Sequence, residues 1–278
     1  MMKVVDLHCH STVSDGLLAP AEVVHRAVAN GVDLLALTDH DDVAGLAEAR
    51  AMAEELKLAF LNGVEVSVSW RETTIHIIGL RIDPSHPALF AGLAALRAGR
   101  DGRAERIAQA LEKAGIPGAL EGALRHAKNA TIVSRAHFAR YLVEQGVASD
   151  VKSVFDYYLA QGKPGYVPHH WVTLEQALGW IHGAGGVAVI AHPIRYRMSR
   201  PELREFIAEF KERGGEAMEV ACGAHTPEHV RECAALARQF GLKASSASDF
   251  HGAGESYADL GRVPTMPDGL VPVWKGLV

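Results

Sequence analysis

The chain has 278 residues, of which 48% are hydrophobic and 22% are charged, and its formal net charge is −5. This composition is ordinary for a globular enzyme, and the negative charge argues against a protein that coats nucleic acid or an anionic membrane. No apolar run approaches the roughly 20 residues of a membrane-spanning helix, and the first residues lack the layout of a signal peptide. Cys9, Cys222 and Cys233 have no CxxC spacing, so we expect a cytoplasmic protein without a disulfide framework.

Short runs rich in Val, Ile, Leu and Ala alternate with segments of helical period along most of the chain. The runs predicted as strands are residues 3–7, 33–37, 60–64, 74–80, 187–191, 217–221 and 243–247. Helix signals lie between them, including Pro20 before residues 21–30 and the capping-box patterns that begin at Thr173 and Ser199. This alternation predicts an α/β fold with a parallel sheet, and seven strands would close naturally into a barrel.

Residues 81–186 depart from this alternation of strands and helices. They number 106, whereas a crossover with its helix needs roughly 20–40 residues. The segments with a helical pattern in this interval are residues 93–114, 121–128, 134–145 and 150–160. We therefore predict a helical subdomain inserted at residues 98–168, while residues 1–97 and 169–278 form one discontinuous barrel domain.

Histidine and carboxylate side chains gather at the ends of the predicted strands. His8 and His10 follow the first run with i, i+2 spacing, which projects both rings to one side of an extended segment. The other candidates are Asp15, His40, Glu65, His76, His192, Asp249 and His251. A lone histidine at a strand end is more often a loop or core residue, so the joint pattern carries the prediction.

The carboxyl ends of barrel strands converge on one mouth, so we predict that these nine side chains meet there. Nine ligands are too many for one ion and suit two or three divalent metal ions. Mixed nitrogen and oxygen ligands favour Mn²⁺, with Fe²⁺ or Zn²⁺ as alternatives, over Mg²⁺ alone.

These residues resemble the motifs of the PHP (polymerase and histidinol phosphatase) family, in particular its stand-alone phosphoesterases. The matching motifs are Asp6-Leu7-His8-Cys9-His10-Ser11, Ser14-Asp15-Gly16, Leu37-Thr38-Asp39-His40-Asp41, Gly63-Val64-Glu65, His76, Ala191-His192-Pro193 and Ser248-Asp249-Phe250-His251. The resemblance implies a distorted (β/α)7 barrel, in agreement with the seven predicted strands.

The resemblance also implies a division of the ligands. One ion would be held by His8, His10, Glu65 and Asp249. Glu65 would bridge to a second ion at His76 and His192, and a third position would be formed by Asp15, His40 and His251. A hydroxide between two metal ions would attack phosphorus, so no Ser or Cys nucleophile is needed. His192 and His251 are both candidates for the general acid that protonates the leaving oxygen.

Basic residues of the predicted insertion suggest how a substrate is held. Arginines recur every three residues from Arg97 to Arg106, a hydroxyl and a guanidinium begin the helix at Ser134, and a Lys-Pro-Gly-Tyr run leads back to the barrel. The candidate substrate contacts are Arg100, Arg103, Ser134, Arg135, Lys163 and Tyr166. The alternatives are a solvated helix face, an ordinary helix cap and an ordinary turn.

More than one group of anion-binding residues beside one metal site suggests a substrate with two phosphates. The subgroup of the family that this insertion resembles hydrolyses the 3′-phosphate of nucleoside 3′,5′-bisphosphates, for example phosphoadenosine phosphate to AMP, and its relatives trim short 5′-phosphorylated RNA. We therefore expect a small nucleotide or short oligonucleotide as the partner, with no long duplex, no membrane and no obligatory protein partner.

Three other functions are consistent with parts of the pattern. A histidinol-phosphate phosphatase of the same family would need a pocket for one phosphate and an amine. An amidohydrolase barrel also opens with a His-x-His motif but usually adds a bridging lysine, whereas Glu65 occupies that place here. A non-catalytic PHP module would serve as a structural or interaction domain, and such modules often lose ligands.

Overall fold

The computed structural model describes residues 4–277, and of Asp101 the backbone alone. The strands form one sheet in chain order: β1 (Val5–Asp6), β2 (Leu34–Leu37), β3 (Ala59–Trp70), β4 (Thr73–Leu80), β5 (Val187–Ile190), β6 (Ala217–Cys222) and β7 (Lys243–Ala247). A strand forms in each predicted run, although Lys3 of the first run lies outside the described residues.

The prediction of a wholly parallel sheet was wrong at β4, which is antiparallel to both β3 and β5. Only Arg71 and Glu72 separate β3 from β4. Two residues can join antiparallel strands, whereas a parallel crossover needs a dozen or more. The third run was also predicted too short, because β3 continues through Glu65 to Trp70.

The sheet closes where the end of β1 meets the segment after β7. The Leu7 amide donates to the Ser246 carbonyl at 2.9 Å, and the His10 amide donates to the Phe250 carbonyl at 2.8 Å. Cys9 forms a parallel bridge with Phe250. The sheet is therefore a distorted seven-stranded barrel, as predicted.

Alternate residues of the strands pack into two different hydrophobic clusters. Leu34 and Ala36 of β2 join a cluster made almost entirely of strand residues, whereas Leu35 and Leu37 pack with residues of the helices. This division follows from the period of two in a strand, which points successive side chains to opposite faces. One face of the barrel sheet fills its interior, and the other is covered by helices.

The helices lie between and around these strands. They are α1 (Pro20–Ala29), α2 (Leu46–Glu55), α3 (Pro87–Lys113), α4 (Ala119–His126), α5 (Arg135–Glu144), α6 (Val151–Val154), a π-helical turn (Phe155–Leu159), α7 (Leu174–Gly183), a 3₁₀ turn (Pro193–Arg195), α8 (Arg200–Glu212) and α9 (Pro227–Phe240). Among residues 4–277, no helix is both long and apolar enough to cross a membrane.

Helix α3 runs from the barrel into the inserted segment without a break. Leu89 and Leu93 near its start pack in the main core, while Ile107 and Leu111 pack in a second hydrophobic cluster with residues of α4 and α5. The boundary predicted between residues 97 and 98 falls within this helix, and the division into barrel and insertion stays a prediction. The segment predicted as a helix at residues 150–160 is divided into α6 and the π-helical turn.

Candidate active site

All nine predicted ligands meet at one mouth of the barrel. This mouth lies at the carboxyl ends of the parallel strands, and it includes the amino-terminal half of β4 because that strand runs the other way. Three groups have ligand atoms within 4.8 Å of one another: His8, His10 and Asp249; His40, Glu65 and His76; and His10, Asp15, His40 and His251. The ninth, His192, places its Nε2 3.2 Å from Oε1 of Glu65.

Glu65 lies at the centre of this arrangement and is fully buried. Its Oε2 is 3.4 Å from Nε2 of both His8 and His10 and 2.7 Å from Nδ1 of His40. Its Oε1 is 2.9 Å from Nδ1 of His76. One carboxylate thus faces several groups of imidazoles, which is the geometry expected of a bridging ligand.

The charges of these groups depend strongly on one another. Burial disfavours charge on His8, but neighbouring carboxylates, led by Glu65 and Glu219, outweigh burial and raise the pKa of His8 well above its usual value. Burial and the adjacent His251 and His40 lower the pKa of His10 to about 3. Burial likewise opposes ionisation of Glu65, yet the surrounding imidazoles hold its pKa well below the usual value.

Four buried polar atoms at this mouth have no hydrogen-bond partner within the described part of the chain: Oδ1 of Asp15, Nδ1 of His40, Oε2 of Glu65 and Nδ1 of His192. Nδ1 of His40 and Oε2 of Glu65 are only 2.7 Å apart without forming a hydrogen bond. Unpaired buried acceptors are costly, and a cation would satisfy them. Six imidazoles and three carboxylates therefore fit divalent metal ions.

Further residues orient the ligands from outside the three groups. Asp39 accepts hydrogen bonds from the hydroxyls of Ser11 and Ser14 at 2.6 and 2.5 Å, next to His10. The His76 amide donates to the Tyr196 hydroxyl at 2.9 Å, and that hydroxyl donates to the Ala191 carbonyl at 2.9 Å. These contacts fix the two histidine-bearing segments against the neighbouring strands.

A cavity of about 750 Å³ opens from the ligand cluster towards the insertion. Asp15, His40, His76, His192, Asp249 and His251 line it on the barrel side. Arg100, Arg103, Ser134, Arg135 and Tyr166 line it on the other side. Five of the six predicted substrate contacts thus share a cavity with the candidate metal ligands, whereas Lys163 lies outside this lining.

The arginines of this cavity differ in their partners. Arg100 forms a buried ion pair with Asp41 and donates to the Ser67 hydroxyl at 3.1 Å, so its charge is already compensated. Arg103 is also buried, but its Nε has no hydrogen-bond partner among the described side chains and main chain. Burial, with the nearby Arg135 and Arg100, lowers the pKa of Arg103 to about 9.

Arg135 is held in a similar environment. Its guanidinium lies over the Phe155 ring at 5.5 Å, and burial lowers its pKa. Arg103 and Arg135 therefore form a pair of poorly compensated cations, to which an anion would bind favourably.

Sequence reasoning did not select three charged residues at this mouth. Arg195 forms an ion pair with Asp249. Arg140 of α5 donates to the Asp15 carbonyl at 2.6 Å and to Glu255 at 2.7 Å. Glu219 contacts His8, and its only signal was a charged residue within an otherwise apolar strand run.

A barrel mouth that gathers nine candidate histidine and carboxylate ligands beside a basic cavity is suited to the hydrolysis of phosphoric esters. A model of the PHP domain matches residues 6–213. The chain therefore belongs to the PHP domain family, as its motifs indicated.

Several known proteins are similar to this chain over nearly its whole length. The 3′,5′-nucleoside bisphosphate phosphatase of Chromobacterium violaceum is 51% identical and aligns with 98% of this chain and 96% of its own. The 5′-3′ exoribonuclease Rnm of Escherichia coli is 49% identical, with 98% and 93% covered. A solved structure of an amidohydrolase from C. violaceum, with bound sulfate and no metal, has a TM-score of 0.96 at 51% identity and covers 99% of this chain and 96% of its own.

Proposed function

We propose that this protein is a metal-dependent phosphoesterase that hydrolyses the 3′-phosphate of nucleoside 3′,5′-bisphosphates, for example phosphoadenosine phosphate to AMP and phosphate. We propose that it also trims short 5′-phosphorylated RNA, which presents the same bond. The observation that carries this proposal is that Arg103 and Arg135 line the same cavity as the nine candidate ligands. A substrate with two phosphates could bind both places at once.

The ligand set supports two or three divalent ions, with Mn²⁺ as the preferred metal and Fe²⁺ or Zn²⁺ as alternatives. His8, His10, Glu65 and Asp249 would hold one ion. Glu65 would also contact a second ion at His76 and His192, and Asp15, His40 and His251 would form the third position. Bound metal would supply Lewis-acid activation of water and neutralise charge on the phosphate.

The chain's own residues would orient the ester and supply a proton. His192 and His251 both line the cavity, so either can reach the oxygen that leaves with the nucleoside. On the far side, Arg103 and Arg135 would bind the 5′-phosphate, with Ser134 beside them. Tyr166 lines the same wall and would stack on the base. The role predicted for Lys163 is less well supported by its position.

The alternative functions fit these observations less well. Histidinol phosphate carries one phosphate, which would leave Arg103 and Arg135 without an anion. An amidohydrolase would use a bridging lysine, whereas the side chain that faces several imidazoles here is the carboxylate of Glu65. A non-catalytic module would have no need for a full ligand set. We accordingly expect a cytoplasmic enzyme that acts on small nucleotides without an obligatory protein partner.

A substrate panel with added Mn²⁺ tests this function. It should contain adenosine 3′,5′-bisphosphate, AMP, histidinol phosphate and a short 5′-phosphorylated RNA. We expect the highest kcat/KM with the bisphosphate, slower turnover of the RNA and little turnover of AMP. Only the bisphosphate and the RNA carry both a phosphate ester at a 3′ oxygen and a 5′-phosphate. Preferential hydrolysis of histidinol phosphate would contradict the proposal.

A further inference from the structure

Glu219 of β6 is a buried carboxylate that belongs to none of the three ligand groups. Its Oε1 accepts a hydrogen bond from Nδ1 of His8 at 2.7 Å. Its Oε2 accepts one from the main-chain amide of His192 at 2.6 Å. A single side chain therefore joins two candidate ligands that are far apart in the sequence.

The backbone of β6 is irregular at this residue. The register between β6 and β7 shifts between Glu219 and Ala221, which marks a β-bulge. A bulge bends its strand and re-aims a side chain. The side chain of Glu219 is 1% exposed, and a buried carboxylate is costly unless both oxygens are paired. The two hydrogen bonds meet that requirement.

The contact with His8 determines which ring nitrogen is free. A carboxylate accepts hydrogen bonds, so Nδ1 of His8 carries a proton, and Nε2 is the nitrogen that would bind metal once the ring is neutral. That Nε2 lies 3.4 Å from Oε2 of Glu65 and 3.5 Å from Oδ1 of Asp249. A histidine held in this way by an outer carboxylate is oriented for metal binding and is a stronger ligand.

The contact with His192 stabilises an uncommon backbone conformation. His192 has φ 27° and ψ 59°, in or near the left-handed region that residues other than glycine rarely adopt. Such a conformation persists only where the surroundings hold it. The bond from its amide to Glu219 fixes the chain at the point where the Pro193–Arg195 turn begins.

We propose that Glu219 is a positioning residue that fixes the tautomer of His8 and the backbone of His192, and thereby sets the metal affinity of the centre. This inference rests on the ligand set proposed above. It assigns Glu219 no contact with the substrate.

The test compares Glu219→Gln with Glu216→Gln. Glu216 is a matched control because it also accepts from a histidine, at 3.3 Å from Nε2 of His182, and from a main-chain amide, that of Ala188 at 2.8 Å. It precedes β6, at the end of that strand away from the ligands. Gln has one acceptor oxygen, so Glu219→Gln cannot keep both bonds.

Two measurements on metal-free protein give the result without a substrate. Titration calorimetry with Mn²⁺ should show a Kd raised about 10- to 100-fold in Glu219→Gln, the usual loss when such an outer partner is removed, and unchanged in Glu216→Gln. The ¹⁵N spectrum of labelled histidines, recorded at a pH high enough to leave the ring neutral, should show that His8, assigned with His8→Ala, loses its preference for the Nδ1–H tautomer.

An unchanged Kd and tautomer in Glu219→Gln would overturn the inference, as would an equal loss of affinity in Glu216→Gln. Should Glu219→Gln not fold, Glu219→Asp keeps the charge but shortens the reach, and it should weaken Mn²⁺ binding less than removal of His8. If His8→Ala itself binds Mn²⁺ normally, the ligand set fails rather than the role of Glu219 alone.

Discussion

Two arginines of this cavity, Arg103 and Arg135, form no ion pair with any carboxylate among the described side chains, and this distinguishes the cavity from an ordinary charged surface. Arg100, one turn before Arg103 on α3, forms an ion pair with Asp41 and is compensated. Arg106, three residues after Arg103, is exposed and lies 3.5 Å from the His169 ring. The two arginines of this run that were predicted as substrate contacts, Arg100 and Arg103, therefore differ in their surroundings from each other and from Arg106.

We expect Arg103→Ala to lower kcat/KM for adenosine 3′,5′-bisphosphate about 100-fold, equivalent to about 3 kcal/mol, because a buried charge-assisted contact is lost. Hydrolysis of 3′-AMP, which lacks the 5′-phosphate, should change less than threefold, and Arg106→Ala should leave both reactions unchanged. Steady-state kinetics on both substrates measures this. Equal losses of kcat/KM on the two substrates would show that Arg103 does not act by binding the 5′-phosphate.

The convergence of the candidate metal ligands could be predicted, because each lies next to a recognisable strand run and strand ends meet whatever the surrounding helices do; their role as ligands stays a prediction. The contact of Glu219 with His8 could not be predicted, because Glu219 lies inside the strand run at residues 217–221 and a β-bulge is not visible in the sequence. The position of Lys163 also escaped prediction, since it depends on how a turn of the insertion packs. Local patterns thus located the candidate ligands but not the buried residues that contact them.

Among the secondary-structure elements, the positions of the strands and of most helices could be predicted from the period of the hydrophobic residues and from helix-capping residues. The direction of β4 was predicted wrongly, because the strand–helix alternation of the rest of the chain was assumed to hold between β3 and β4 as well. Only two residues connect these strands, which is too few for a helix. The start of α5 was predicted well: Ser134 accepts from the Ala136 amide at 3.0 Å, and the Ser134 amide donates to Nδ1 of His137 at 3.0 Å. This capping box places a buried histidine in a role usually taken by Glu or Gln.

Because this histidine can bind a proton, it makes the stability of the protein depend on pH. Burial lowers the pKa of His137 to about 4, from about 6.5 in an unfolded chain. Above pH 6.5 the ring is neutral in both states. As the pH falls from 6.5 towards 4, the unfolded chain binds the proton first, so the free energy of unfolding decreases.

We expect His137→Gln, which keeps an acceptor that does not titrate, to reduce the loss of stability between pH 7 and pH 5 by about 2 kcal/mol. Urea unfolding at both pH values gives the difference. His170→Gln, at an exposed histidine, should keep the wild-type pH dependence. A His137→Gln variant with the wild-type pH dependence would show that His137 titrates normally in the folded protein.

Over the whole molecule, the candidate centre joins segments that are far apart in sequence. His8 follows β1, Glu65 and His76 come from the central hairpin, and Asp249 follows β7. Their buried ligand atoms include several without a hydrogen-bond partner. The barrel thus places unsatisfied polar groups at the mouth where these distant segments meet, and ions bound there would hold the segments together.

We therefore expect metal removal to destabilise the entire fold rather than the mouth alone. An ion present at 100 times its Kd adds about 2.7 kcal/mol to stability, which corresponds to a Tm loss of roughly 5–10 °C on chelation for a chain of this size. Calorimetry before and after EDTA, with metal analysis of both samples, measures the change, and added Mn²⁺ should restore the Tm. His8→Ala should show a smaller response to both reagents. If EDTA strips the metal and the Tm stays the same, the ions bind without stabilising the closed barrel, and the unpaired atoms at its mouth are satisfied by water.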